Sequence, residues 1–113
     1  MARVLICESE PDVGALLALQ LHRLGHEAVI YNSSWSSPLQ CVDVVLIEPG
    51  GNGIGLAREL RLLAPDVPMV CSSIYPRSPE TDELEPAAYL VKPFPASTLD
   101  AAIRSAVRTA AAA

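Results

Sequence analysis

Two residues far apart in the sequence are of types that could do chemistry together. Glu48 closes the apolar run Val44-Val45-Leu46-Ile47, and Lys92 closes Ala88-Tyr89-Leu90-Val91. If both runs are buried parallel strands, a carboxylate and an ammonium just past their carboxyl ends converge on one crevice, the place where open α/β sheets bind ligands. An aspartate there would suit a phosphate-accepting site, and this chain carries the longer glutamate. The stretch Gly50-Gly51-Asn52-Gly53-Ile54-Gly55 invites comparison with a phosphate-cradling loop that opens a helix. It follows the third strand rather than the first and has no Lys-Ser/Thr behind it, which counts against a nucleotide-binding enzyme.

The elements that must position these residues can be read from periodicity. Arg3 to Cys7 reads as a buried strand, followed by Val13, Leu16, Leu17, Leu21 and Leu24 on one helical face, with Gly25 as the stop. Glu27 to Tyr31 is a second strand. Asn32 to Gln40 is turn-rich and too short for a full crossover helix, so a single helical turn or an irregular connection is expected there. Val42 to Ile47, the most continuous β-branched run, is the expected central strand. A helix follows with Ile54, Ala57, Leu60 and Leu63 inward. Met69 to Ser72 and Ala88 to Val91 are the last two strands, and the proline-rich stretch from Tyr75 to Pro86 has room for a short helix at most. Leu99, Ile103, Ala106, Val107 and Ala110 mark the inward face of a final helix, with Asp100, Arg104 and Arg108 at i, i+4 spacing on its other side. The four terminal alanines read as a fraying helix end or a linker. The expected fold is a doubly wound α/β domain, residues 1–113, with a five-stranded parallel sheet in the flavodoxin-like order 2-1-3-4-5. Its second and fourth helices should be short or missing.

Composition narrows the function classes. At 113 residues the chain is one domain, half of it apolar and only 4% aromatic, so Leu, Val, Ile and Ala must build the core. A formal net charge of −5 with no basic stripe argues against nucleic-acid binding by this segment. No apolar run reaches the length of a membrane span, and no signal peptide is visible. Cys7, Cys41 and Cys71 lack C-x-x-C spacing and suit a reducing cytoplasm. The acids Glu80, Asp82, Glu83 and Glu85 read as a solvated loop that a basic partner could use.

Five segments together resemble the response-regulator receiver domain: Arg-Val-Leu-Ile-Cys-Glu-Ser-Glu-Pro (3–11), Asp-Val-Val-Leu-Ile-Glu (43–48), Gly-Leu-Ala-Arg-Glu-Leu (55–60), Pro-Met-Val-Cys-Ser-Ser (68–73) and Tyr-Leu-Val-Lys-Pro-Phe (89–94). The resemblance spans nearly the whole chain and implies a two-component or phosphorelay signalling module. In that family an aspartate ending the third strand accepts a phosphoryl group, beside an acid pair that holds Mg²⁺. A Ser or Thr after the fourth strand and a lysine after the fifth contact the phosphoryl oxygens. The resemblance therefore places Glu8 and Ser9 on the acid pair, Glu48 on the phosphoacceptor, Ser73 on the hydroxyl, Tyr89 on the switch aromatic and Lys92 on the lysine.

The departures from the pattern carry the functional expectation. Ser9 removes a carboxylate that Mg²⁺ would need, so metal binding should be weak or absent. Glu48 is a methylene too long for an acceptor, and in-line phosphoryl transfer tolerates little misplacement. The loop from Glu48 to Gly55 is also shorter than the family pattern by a residue and lacks its Met-Pro step. The expectation is a non-enzymatic pseudo-receiver that acts by protein–protein interaction with a kinase, an output domain or itself. The alternative is a competent receiver phosphorylated by a histidine kinase. Ser9 has a simpler role open to it, since Ser9-Glu10-Pro11-Asp12 fits a helix-capping pattern. With no metal between them, Glu8 and Glu48 would need a cation, and Lys92 is placed to supply it across a cis bond to Pro93. Self-pairing is expected through the first and last helices, with Arg104 and Arg108 exposed, because the prolines erode the family's usual face.

Overall fold

The structure, a computed structural model, describes residues 1–32 and 39–112. The expected irregular connection after Asn32 lies largely outside the described residues, as does the single tryptophan, Trp35. In chain order the elements are β1 (Arg3–Cys7), α1 (Pro11–Arg23), β2 (Glu27–Ile30), a 3-10 turn (Leu39–Cys41), β3 (Val44–Ile47), α2 (Gly53–Leu63), β4 (Met69–Ser73), α3 (Pro79–Asp82), β5 (Ala88–Val91) and α4 (Ala96–Ala112). The strands form one parallel sheet in the order β2-β1-β3-β4-β5. Order and element types match the sequence reading, including the stub helix after β4.

Several boundaries move for visible reasons. β3 begins at Val44 rather than Val42, because Asp43 is used sideways: its carboxylate accepts from Arg3 N–H at 2.7 Å and its own N–H donates to the Arg3 carbonyl at 2.8 Å. β4 runs one residue further than read and includes Ser73. The terminal alanines continue α4 to Ala112. Ser9 does not cap α1. Glu10 occupies the cap position without a side-chain cap, Pro11 opens the helix, and Ser9 is exposed with no hydrogen bond to its hydroxyl among the described residues. The Glu8 carboxylate takes the local N–H instead, accepting from Glu10 N–H at 3.3 Å.

Two cores lie on the two sides of the sheet. On one, Val4, Ile6, Val44, Leu46 and Val70 meet Leu17 and Leu21 of α1 and Leu99, Ile103 and Ala106 of α4. On the other, Leu5, Val45, Ile47, Met69 and Cys71 meet Ala57 and Leu60 of α2 and Leu84 beyond α3. The inward stripes are narrower than the sequence reading. Leu16 of α1 and Leu63 of α2 are 56% and 62% exposed, because Gly14, Leu17 and Leu21 already fill the inward line of α1 and Ala64 closes the end of α2.

Polar side chains hold what the stub helix cannot. Ser78 and Thr81 form a reciprocal capping box on α3. From α2, the Arg61 guanidinium donates to the carbonyls of Leu84 (2.6 and 3.0 Å) and Glu85 (3.1 Å), tying the segment before β5 to the helix bed. Just ahead of β2, buried His26 accepts from Ala2 N–H at Nδ1 (3.0 Å), so Nε2 carries the hydrogen toward Asp100 (2.8 Å). Asp100 also binds Arg104 Nε at 3.0 Å, and these hydrogen bonds, His26 first, hold its carboxyl below the usual range.

Candidate functional site

The crevice forms where β1, β3 and β5 end. Lys92 Nζ donates to Glu8 Oε2 at 2.9 Å and to Glu48 Oε2 at 3.3 Å, with the three side chains 18%, 4% and 13% exposed. The expected bridge between the two carboxylates is therefore present, and the Lys92–Pro93 bond is cis. Regular pairing of Cys7 with Ile47 and of Ile47 with Cys71 fixes how close the strand ends lie. Burial favours this pairing, since two neighbouring carboxylates without the ammonium would repel in a poorly solvated place.

Glu48 fits through its own loop. The side chain turns back so that Oε1 accepts from Gly50 N–H at 2.8 Å, which absorbs the extra methylene while β3 stays regular. A Cβ at position 50 would stand 2.8 Å from that oxygen, and one at Gly53 would collide with the backbone carbonyl of Glu48. The glycine-rich loop, compared above with a phosphate cradle, thus has a local reason for its glycines. Gly50 is the site residue whose part sequence reasoning missed, although a run of glycines two residues after an acid was a usable signal.

The remaining candidates divide. Ser73 is buried at the end of β4, its Oγ accepting from Tyr75 N–H at 3.1 Å. The Tyr89 hydroxyl donates to the carbonyls of Tyr75 (2.8 Å) and Pro76 (3.2 Å), and Arg77 lies over its ring, 5.9 Å from the centroid. Arg77 is in turn paired with Asp82 of α3 at 2.7 Å. Ser73 and Tyr89 line a cleft of about 410 Å³ beside the crevice. Among the described residues no hydrogen bond joins the Ser73 hydroxyl or Tyr89 to the Lys92 set.

The donor set does not fit Mg²⁺. Such an ion needs a shell of hard oxygen ligands with carboxylates close in. Here both carboxylates face an ammonium, Ser9 stands exposed, and no group of three His, Cys, Asp or Glu among the described residues is placed to hold a metal. The two buried thiols, Cys7 and Cys71, are poorly placed for chemistry too. Burial pushes Cys7 up to about 12 and Cys71 up to about 11, so both stay protonated at neutral pH.

Comparison with solved structures identifies the fold as that of response-regulator receiver domains. A sensor protein from Polaromonas sp. JS666 superposes with a TM-score of 0.79 at 24% identity, over 96% of this chain and 98% of that one. The signal receiver domain of a modulated diguanylate cyclase from Desulfovibrio desulfuricans G20 gives 0.80 at 22% identity, over 99% and 98%. NtrX from Brucella abortus gives 0.83 at 21% identity over 98% of this chain, which spans only 28% of that longer protein. No protein family defined by sequence and no curated protein matches the chain. Among the described residues, no helix is long and apolar enough to cross a membrane.

Proposed function

We propose that this chain is a receiver-like signalling module that binds protein partners without being phosphorylated. The observation that carries the reading is the bridge from Lys92 to Glu8 and Glu48. The ammonium that would meet an incoming phosphoryl group is already committed, and the residue at the acceptor position turns its carboxylate onto Gly50. Glu48 supplies one negative charge where a phosphoryl group would bring more charge and more acceptor oxygens, so the module holds a single, built-in signalling state. Its role is binding rather than catalysis. Two features support pairing with a kinase, an output domain or a second copy through α1 and α4: the exposed Leu16 and Leu19 of α1 and the exposed Arg104 and Arg108 of α4. Three free thiols, two of them buried, suit a reducing cytoplasm.

The test is intact-mass measurement after incubation with a small phosphodonor and Mg²⁺. The expected outcome is an unchanged mass, and calorimetry should show no saturable Mg²⁺ binding at about millimolar concentrations. A stoichiometric, acid-labile phosphate adduct would establish the competent receiver instead.

A further inference from the structure

We infer that the cleft between the β3–α2 loop and the β4–α3 loop docks an extended, basic peptide through an apolar side chain. This cleft, about 410 Å³, is lined by Pro49, Ile54, Tyr75, Pro76, Ser73 and Glu80 among others. It has the size and mixed character of sites that take one or two side chains. It is separate from the Lys92 bridge, whose three side chains do not line it.

Three features determine the occupant. Proline and tyrosine surfaces give the cleft apolar faces, with Tyr75 63% exposed, as suits a prolyl ring or a leucine side chain. Ser73, 2% exposed, uses its oxygen to accept from Tyr75 N–H, while its hydroxyl hydrogen has no acceptor among the described residues. That hydrogen is a donor for a peptide carbonyl. Charge sets the sign. Glu80 is the only charged residue among the described residues that line the cleft. Arg58 meets Glu80 only at an exposed 3.4 Å contact, and Arg77 is engaged with Asp82. An acidic peptide would meet like charge at Glu80, whereas lysine or arginine beside the apolar side chain meets complementary charge.

The cleft is also preorganised. The Tyr89 hydroxyl ties down the carbonyls of Tyr75 and Pro76, and Arg77 covers its ring, so the β4–α3 wall needs little ordering on binding. The inference deepens the proposed binding role and rests on it only in taking the ligand to be a protein segment.

The test titrates the ¹⁵N-labelled full chain, at low salt, with the amidated hexapeptide Lys-Arg-Pro-Leu-Lys-Arg and, separately, with Glu-Asp-Pro-Leu-Glu-Asp. The basic peptide should give saturable amide shifts confined to residues 49–54, 73–81 and 89, and the acidic one none. The surface changes Glu80→Lys and Tyr75→Ser should each weaken binding by about tenfold with the fold intact by circular dichroism. The inference is overturned by the absence of saturable shifts, an equal response to the acidic peptide, shifts centred elsewhere, or undiminished binding by both variants. Each of these outcomes leaves the phosphodonor experiment standing on its own.

Discussion

Lys92 is one ammonium shared by two carboxylates in a place that water only partly reaches. A surface pair of this kind would contribute well under about 1 kcal/mol, but removing the cation from a mostly buried set leaves like charges facing each other. Lys92→Ala should therefore lower unfolding stability by about 1–3 kcal/mol at neutral pH, read as a shifted denaturant midpoint with an unchanged slope. A variant that unfolds with the wild type would show that solvent already screens the three charges. The pairing was legible from the sequence, because two acids and a lysine at three strand ends have few other ways to be satisfied. The route taken by Glu48 was not, since a side-chain turn onto Gly50 depends on loop geometry that no periodicity encodes.

Among the elements, α2 shows how tightly the loop after β3 is built. Gly53 opens the helix directly against the carbonyl of Glu48, and that atom belongs to the backbone and cannot rotate away. Alanine is the better helix former by about 1 kcal/mol, yet the collision should outweigh the gain, and Gly53→Ala is expected to destabilise by about 1–3 kcal/mol. A stabilised variant in thermal unfolding would contradict the close approach. Strands and helix types were readable because apolar runs of strand length alternate with helical stripes. Stripe widths were not, since Leu16 and Leu63 obey the helical period as well as their buried neighbours do, and only the partner surface decides between them. The Arg61 and Arg77 contacts were equally hidden, since no periodicity encodes the reach of Arg61 to the Leu84 carbonyl or the placing of Arg77 over the Tyr89 ring.

For the whole molecule, the two sides of the sheet are unequally furnished. Two long helices cover one side, while α2 and the stub α3 serve the other among the described residues. On the fuller side Leu16, Leu19, Arg104 and Arg108 are exposed, the face proposed above for self-pairing. Arg104 is engaged with Asp100, so the cleaner probe is Arg108→Glu. Sedimentation should show the wild type heavier than this variant at the same concentration, and equal masses would move any self-contact to another face. The unequal covering also has a consequence for how the backbone breathes. Amide protons of β1, β3 and β4, each flanked by strands on both sides, should exchange with deuterium only through global unfolding. Those of β5, an edge strand beside the four-residue α3, should exchange through a cheaper local opening whose rate Arg61 sets through its grip on Leu84 and Glu85. Deuterium uptake across residues 84–91 should rise in an Arg61→Ala variant while β1 and β3 remain slow, so the sheet's edge and its core would keep separate clocks.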